Sequence, residues 1–93
     1  MTIDQIKQKA VPVLKDAGVL RSSLFGSYAR SEQTNDSDID ILIEFEKGKS
    51  LLDLVGLEMD LQEVLGKKVD VLTYKSVSPH LKEYITKDQI QIL

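Results

Sequence analysis

Cysteine and tryptophan are missing from this chain, and it has one histidine, two prolines and five aromatic residues in 93 positions. Without cysteine there is no disulfide, no thiolate nucleophile and no cysteine-held zinc. With so few rings, the core has to be built mostly from Leu, Ile and Val. Excess positive charge is also lacking. Twelve Lys and Arg stand against fifteen Asp and Glu, for a net charge of −3. That argues against a non-specific nucleic-acid binder, which needs clustered cations. No apolar run approaches the roughly 20 residues of a membrane span. Residues Met1 to Ala10 carry charges and amides where the apolar region of a signal peptide would sit. The expectation is one domain, residues 1–93, in a cytoplasmic protein without a membrane partner.

The apolar spacing predicts an alternation of helices and strands. Thr2 with Gln5 reads as a capping box. Ile3, Ile6, Ala10, Val13, Leu14 and Ala17 follow at helical spacing, and Gly18 stops them. Pro12 lies inside this pattern, so one helix with a distortion is expected. Val19 to Phe25 reads as a strand ended by Gly26. A polar connection from Ser27 to Ser37 follows, opening on a possible helical turn and closing on an Asn35-Asp36 turn. Asp38 to Phe45 alternates as a second strand, with Ile39, Ile41, Ile43 and Phe45 on the face expected to pack on helices. Ser50 with Asp53 caps a helix carrying Leu51, Leu54, Val55, Leu57, Leu61, Val64 and Leu65, which Gly66 ends. Its apolar stripe reads as core, with an outer edge that can meet a partner. Val69 to Thr73 is a third strand, Pro79 to Ile85 a short helix and Asp88 to Leu93 a last strand. The fold class is α+β: a small mixed sheet, antiparallel between its first two strands, with helices packed on one face.

The second strand puts Asp38 and Asp40 on the face opposite its isoleucines. Two residues apart on a strand, their Cα atoms stand roughly 6.5–7 Å apart and their side chains point the same way. Such carboxylates can hold one hard cation, or two about 3.5–4 Å apart as in two-metal phosphoryl transfer. With no cation present they repel, and at least one pKa rises. Oxygen-only donors suit Mg²⁺ or Mn²⁺ rather than Zn²⁺. Asp70 sits between two valines that face the core, so its side chain joins the pair if the third strand neighbours the second. Gly26 lets backbone approach a ligand closely. The N–H groups after it, with the Ser27 hydroxyl and Arg30, form a candidate phosphate cradle. An EF-hand starting at Asp36 fails, because Ile41 and Lys47 stand where Gly and Glu are required. His80 has no carboxylate partner by spacing and reads as a surface residue. Lys67-Lys68 reads as a solvated turn.

Gly26-Ser27, ten residues, then Asp38-Ile39-Asp40 resembles the G-S-x10-D-x-D signature of the nucleotidyltransferase superfamily that includes DNA polymerase beta. With G-S-Y-A-R, D-S-D-I-D-I-L-I-E-F, V-D-V-L-T and S-P-H-L-K-E, the chain is most similar to the minimal nucleotidyltransferases, often antitoxins paired with HEPN-domain toxins. The likeness runs from about Val19 to the C-terminus. It implies that Gly26 and Ser27 hold a triphosphate, that Asp38 and Asp40 ligate metal, and that Asp70 is the third carboxylate, placed to assist the attacking hydroxyl. The implied reaction moves AMP from ATP, with Mg²⁺ or Mn²⁺ (two ions), to a tyrosine of a HEPN-type toxin. Relatives commonly have Gly where this chain has Ser31. If that position needs positive φ, Ser costs on the order of 1 kcal/mol there. The other reading is a binding module that neutralises its partner by docking. On either reading a chain this small is expected to assemble, as a hetero- or homo-oligomer.

Overall fold

Thr2 and Gln5 set the first helix by closing on each other. The Gln5 N–H donates to Thr2 Oγ1 at 3.1 Å, and the Thr2 N–H donates to Gln5 Oε1 at 2.9 Å. In the computed structural model, which describes residues 1–77 and 88–93, helix α1 spans Ile3–Asp16. It runs unbroken through Pro12, whose ring lies on the exposed side. Ile6, Ala10 and Leu14, spaced one turn apart, are fully buried. Gly18, at φ 82°, turns the chain into the sheet.

The sheet holds β1 (Val19–Phe25), β2 (Ile39–Phe45), β3 (Val69–Thr73) and β4 (Ile90–Gln91), in the order β3-β2-β1-β4. The β1–β2 and β1–β4 pairs are antiparallel and β2–β3 is parallel. Helix α2 (Leu51–Leu65) makes the crossover that a parallel pair requires. It ends on Gly66 at φ 65°. Ile39, Ile41 and Ile43 are fully buried in one cluster with the inner residues of both helices. The expected α+β class and mixed sheet are what the chain adopts.

Two strand boundaries and the burial of one helix differ from expectation. Strand β2 begins at Ile39, so Asp38 lies just before it. The last strand shrinks to Ile90–Gln91, paired with Leu24 and Ser23, and irregular backbone bonds between Ser22 and residues Ile92 and Leu93 continue the contact beyond it. In α2, Leu57, Leu61 and Leu65 are buried, while Leu51, Val55 and Val64 are exposed. The apolar residues of this helix surround more of its circumference than the sheet and α1 cover. A 3₁₀ turn at Tyr74–Ser76 follows β3. The helix expected at Pro79–Ile85, and His80 with it, fall outside the described residues. Among the described residues no helix is long and apolar enough to cross a membrane.

The outer edge of β3 is covered by side chains. The Val69 N–H donates to Gln62 Oε1 at 3.3 Å, and the Val71 N–H donates to Glu58 Oε2 at 3.2 Å. Helix α2 thus satisfies the strand it precedes, on the side that β2 leaves open.

Candidate active site

Strand register assembles the carboxylates. Asp40 is the partner of Phe25 on β1 and of Asp70 on β3. Residues two apart share a face, so Asp40 and Asp70 lie side by side on the face opposite Ile39, Ile41 and Ile43. Leu42, on the same face as Asp40, is buried as well. On this face Ser23, opposite Leu42, bonds the Tyr74 hydroxyl through Oγ at 2.8 Å, whereas Ser22, opposite Ile43, lies on the isoleucine face and donates its hydroxyl to the Leu42 carbonyl at 2.8 Å. The face that carries the acids is therefore packed at its centre and charged at one end.

Burial pushes the Asp40 carboxyl up to about 6, helped by the negative charges of Asp70 and Asp38. Arg30 and Lys68 pull the other way without cancelling this. Gly26 lies directly against Asp40. At φ 70°, a Cβ on Gly26 would collide with Asp40 Oδ2. The glycine that ends β1 therefore makes room for the carboxylate on β2.

The loop after Gly26 is a closed helical turn. The Arg30 N–H donates to the Gly26 carbonyl at 3.2 Å, the Ser31 N–H to Tyr28 at 3.4 Å and the Glu32 N–H to Ser27 at 2.8 Å. The last two bonds, with Ser31 at φ 59°, have the pattern of a Schellman stop. Ser31 is the non-glycine residue with positive φ among those described, as expected if it replaces a glycine. Tyr28 pins the turn from below: it is 1% exposed and part of the core cluster. Tyr28 is thus a core residue inside a stretch whose composition predicts a polar connection, and its aromatic ring is the one signal in the sequence that points to burial there. Arg30 donates from Nε to Glu32 Oε2 at 3.2 Å and still stands near enough to Asp40 to act on its charge.

Asp38 meets Lys68, whose Nζ lies 3.8 Å from Asp38 Oδ2. The backbone fixes this approach, since the Ile39 N–H donates to the Lys68 carbonyl at 3.0 Å. Lys68 was read from the sequence as a solvated turn residue, yet it faces the acids. Among the described residues no three His, Cys, Asp or Glu side chains converge as a ready cage for an ion. Asp40 and Asp70 stand together and Asp38 is drawn toward Lys68. The donor set still fits a hard divalent cation. It is oxygen only, and Asp40 resists ionisation in a way that a nearby positive charge relieves.

Residues 6–92 match the nucleotidyltransferase domain family. A candidate protein adenylyltransferase of Methanocaldococcus jannaschii is 58% identical over 93 residues, covering 100% of both chains. A solved candidate minimal nucleotidyltransferase superposes with a TM-score of 0.83 at 32% identity, covering 97% of this chain and 95% of that one. A toxin–antitoxin structure solved with AMP-PNP gives a TM-score of 0.82 at 26% identity, covering 94% and 72%. The same fold occurs in the complex of a tri-AMPylated Shewanella oneidensis HEPN toxin with its MNT antitoxin, at a TM-score of 0.76 and 23% identity, covering 97% and 71%. The chain belongs to the nucleotidyltransferase domain family and is a nucleotidyltransferase.

Proposed function

We propose that this nucleotidyltransferase transfers AMP from ATP to a hydroxyl of a partner protein, a tyrosine of a HEPN-type toxin, and so acts as an antitoxin. The observation that carries this is the Asp40–Asp70 pair in register beside Gly26, with the Asp40 carboxyl raised to about 6. Support comes from the relative named for protein adenylylation and from the related toxin–antitoxin structure with AMP-PNP.

Asp38, Asp40 and Asp70 would hold Mg²⁺ or Mn²⁺, two ions in the full site, supplying charge neutralisation at the phosphates. Gly26 and Ser27 would bear the triphosphate, with Arg30 adding positive charge. The acceptor oxygen bonds to the α-phosphorus as the bond to the bridging oxygen breaks, and pyrophosphate leaves with that electron pair. Asp70, on the outer of the two parallel strands, takes the hydroxyl proton.

The test is transfer of labelled AMP by Asp38→Ala and Asp40→Ala, with circular dichroism to check the fold. Both variants are expected to fold and to lose transfer. Undiminished transfer in both would remove these carboxylates from the mechanism.

A further inference from the structure

Helix α2 turns an apolar surface outward. Leu52 is 82% exposed, Leu51 74%, Met59 64% and Val55 49%. Leu52, Val55 and Met59 recur at i, i+3 and i+7, which places them in one stripe opposite the buried Leu57, Leu61 and Leu65. Gly56 lies beside this stripe, and a Cβ there would meet nothing within 4 Å. A neighbouring helix can therefore approach the backbone closely at that point. The sheet and α1 already occupy the other side of α2, and among the described residues nothing covers this apolar side.

The charge around the stripe identifies what covers it. From Leu51 to Leu65 the helix carries Asp53, Glu58, Asp60 and Glu63 and no Lys or Arg. Glu58 is committed to the edge of β3. The other three are exposed; Asp60 rims one side of the stripe with Asp53, whose Oδ2 also accepts from the Ser50 N–H in the helix cap, and Glu63 lies one turn beyond Met59. Asp60 and Glu63 also line the groove between α2 and α1, together with Asp16. A second copy of α2 laid on this surface would set these carboxylates against their own kind, which disfavours a symmetric pair. We infer that the outer face of α2 docks an amphipathic helix of a partner protein whose apolar stripe is flanked by Lys and Arg. This deepens the protein-partner reading above and rests on it.

The placement has a consequence for the site. α2 packs on the isoleucine face of the sheet, while Asp40 and Asp70 lie on the opposite face. A helix seated on α2 leaves the carboxylates open, so docking and nucleotide binding are independent.

The test uses the full chain and two helical peptides with the same leucine stripe, one flanked by lysines and one by glutamates. The lysine peptide should bind roughly tenfold or more tightly at low salt, with the difference shrinking as salt rises. ATP with Mg²⁺ should leave that binding unchanged. Leu52→Gln with Met59→Gln, both on the surface, should abolish it, and Asp60→Lys with Glu63→Lys should reverse the preference. Equal binding of the two peptides, no binding of either, or indifference to Leu52→Gln with Met59→Gln overturns the inference. So does self-association of the chain that those two substitutions remove. AMP transfer is measured separately. Transfer without peptide discrimination defeats only the docking surface, and discrimination without transfer defeats only the transfer reading.

Discussion

The carboxyl of Asp40 is raised to about 6 because burial and Asp70 both oppose its ionisation. In an unfolded chain the same group titrates near 3.8. Its contribution to stability is thus fully present below about 4 and is lost as pH rises to about 6. Asp40→Asn should therefore gain stability over the parent as pH climbs from 4 to 6 and keep that gain above it, as read by denaturant unfolding. A divalent cation should narrow the gap by stabilising the ionised parent. Gly26→Ala combines a collision with Asp40 and strain at positive φ. It should cost roughly 1–2 kcal/mol of stability and weaken Mn²⁺ binding, measurable by calorimetry. Ser31→Gly should do the opposite for stability, adding on the order of 1 kcal/mol and raising Tm by several degrees. The need for a glycine-like conformation at Ser31 was legible from the motif it interrupts. Lys68 was not legible as a partner of Asp38, because their approach depends on β2 and β3 lying parallel.

Elements were legible where periodicity and caps agreed. Thr2 with Gln5, Ser50 with Asp53, and Gly66 marked helix ends that the fold keeps. In α2 the period was right, but how far the buried arc extends depends on what packs around the helix. Leu51, Val55 and Val64 are therefore exposed although they read as core. The edge of β3 was not foreseen, because its bonds come from Glu58 and Gln62 on the preceding helix. Glu58→Ala with Gln62→Ala should cost about 1 kcal/mol for each bond lost. It should also raise concentration-dependent association, seen by light scattering, as the edge becomes available to another strand.

At the scale of the molecule, one sheet separates two surfaces. Its isoleucine face carries α1 and α2, and beyond them lies the apolar, acid-rimmed outer side of α2. Its other face carries Asp40, Asp70 and the Gly26 turn. The second surface is legible from alternation: the isoleucines claim the core, so the aspartates face away. The first surface could only be glimpsed, because a leucine stripe looks the same whether core or partner covers it. The central claim is that the carboxylate face performs nucleotidyl transfer, and the most direct measurement follows labelled AMP from ATP onto a HEPN-type toxin, with Mg²⁺ present, for the parent and for Asp40→Asn. The account predicts label on a toxin tyrosine with the parent, and at least roughly a hundredfold less with a folded Asp40→Asn, equivalent to about 2.7 kcal/mol of barrier. Equal labelling by the two would contradict it.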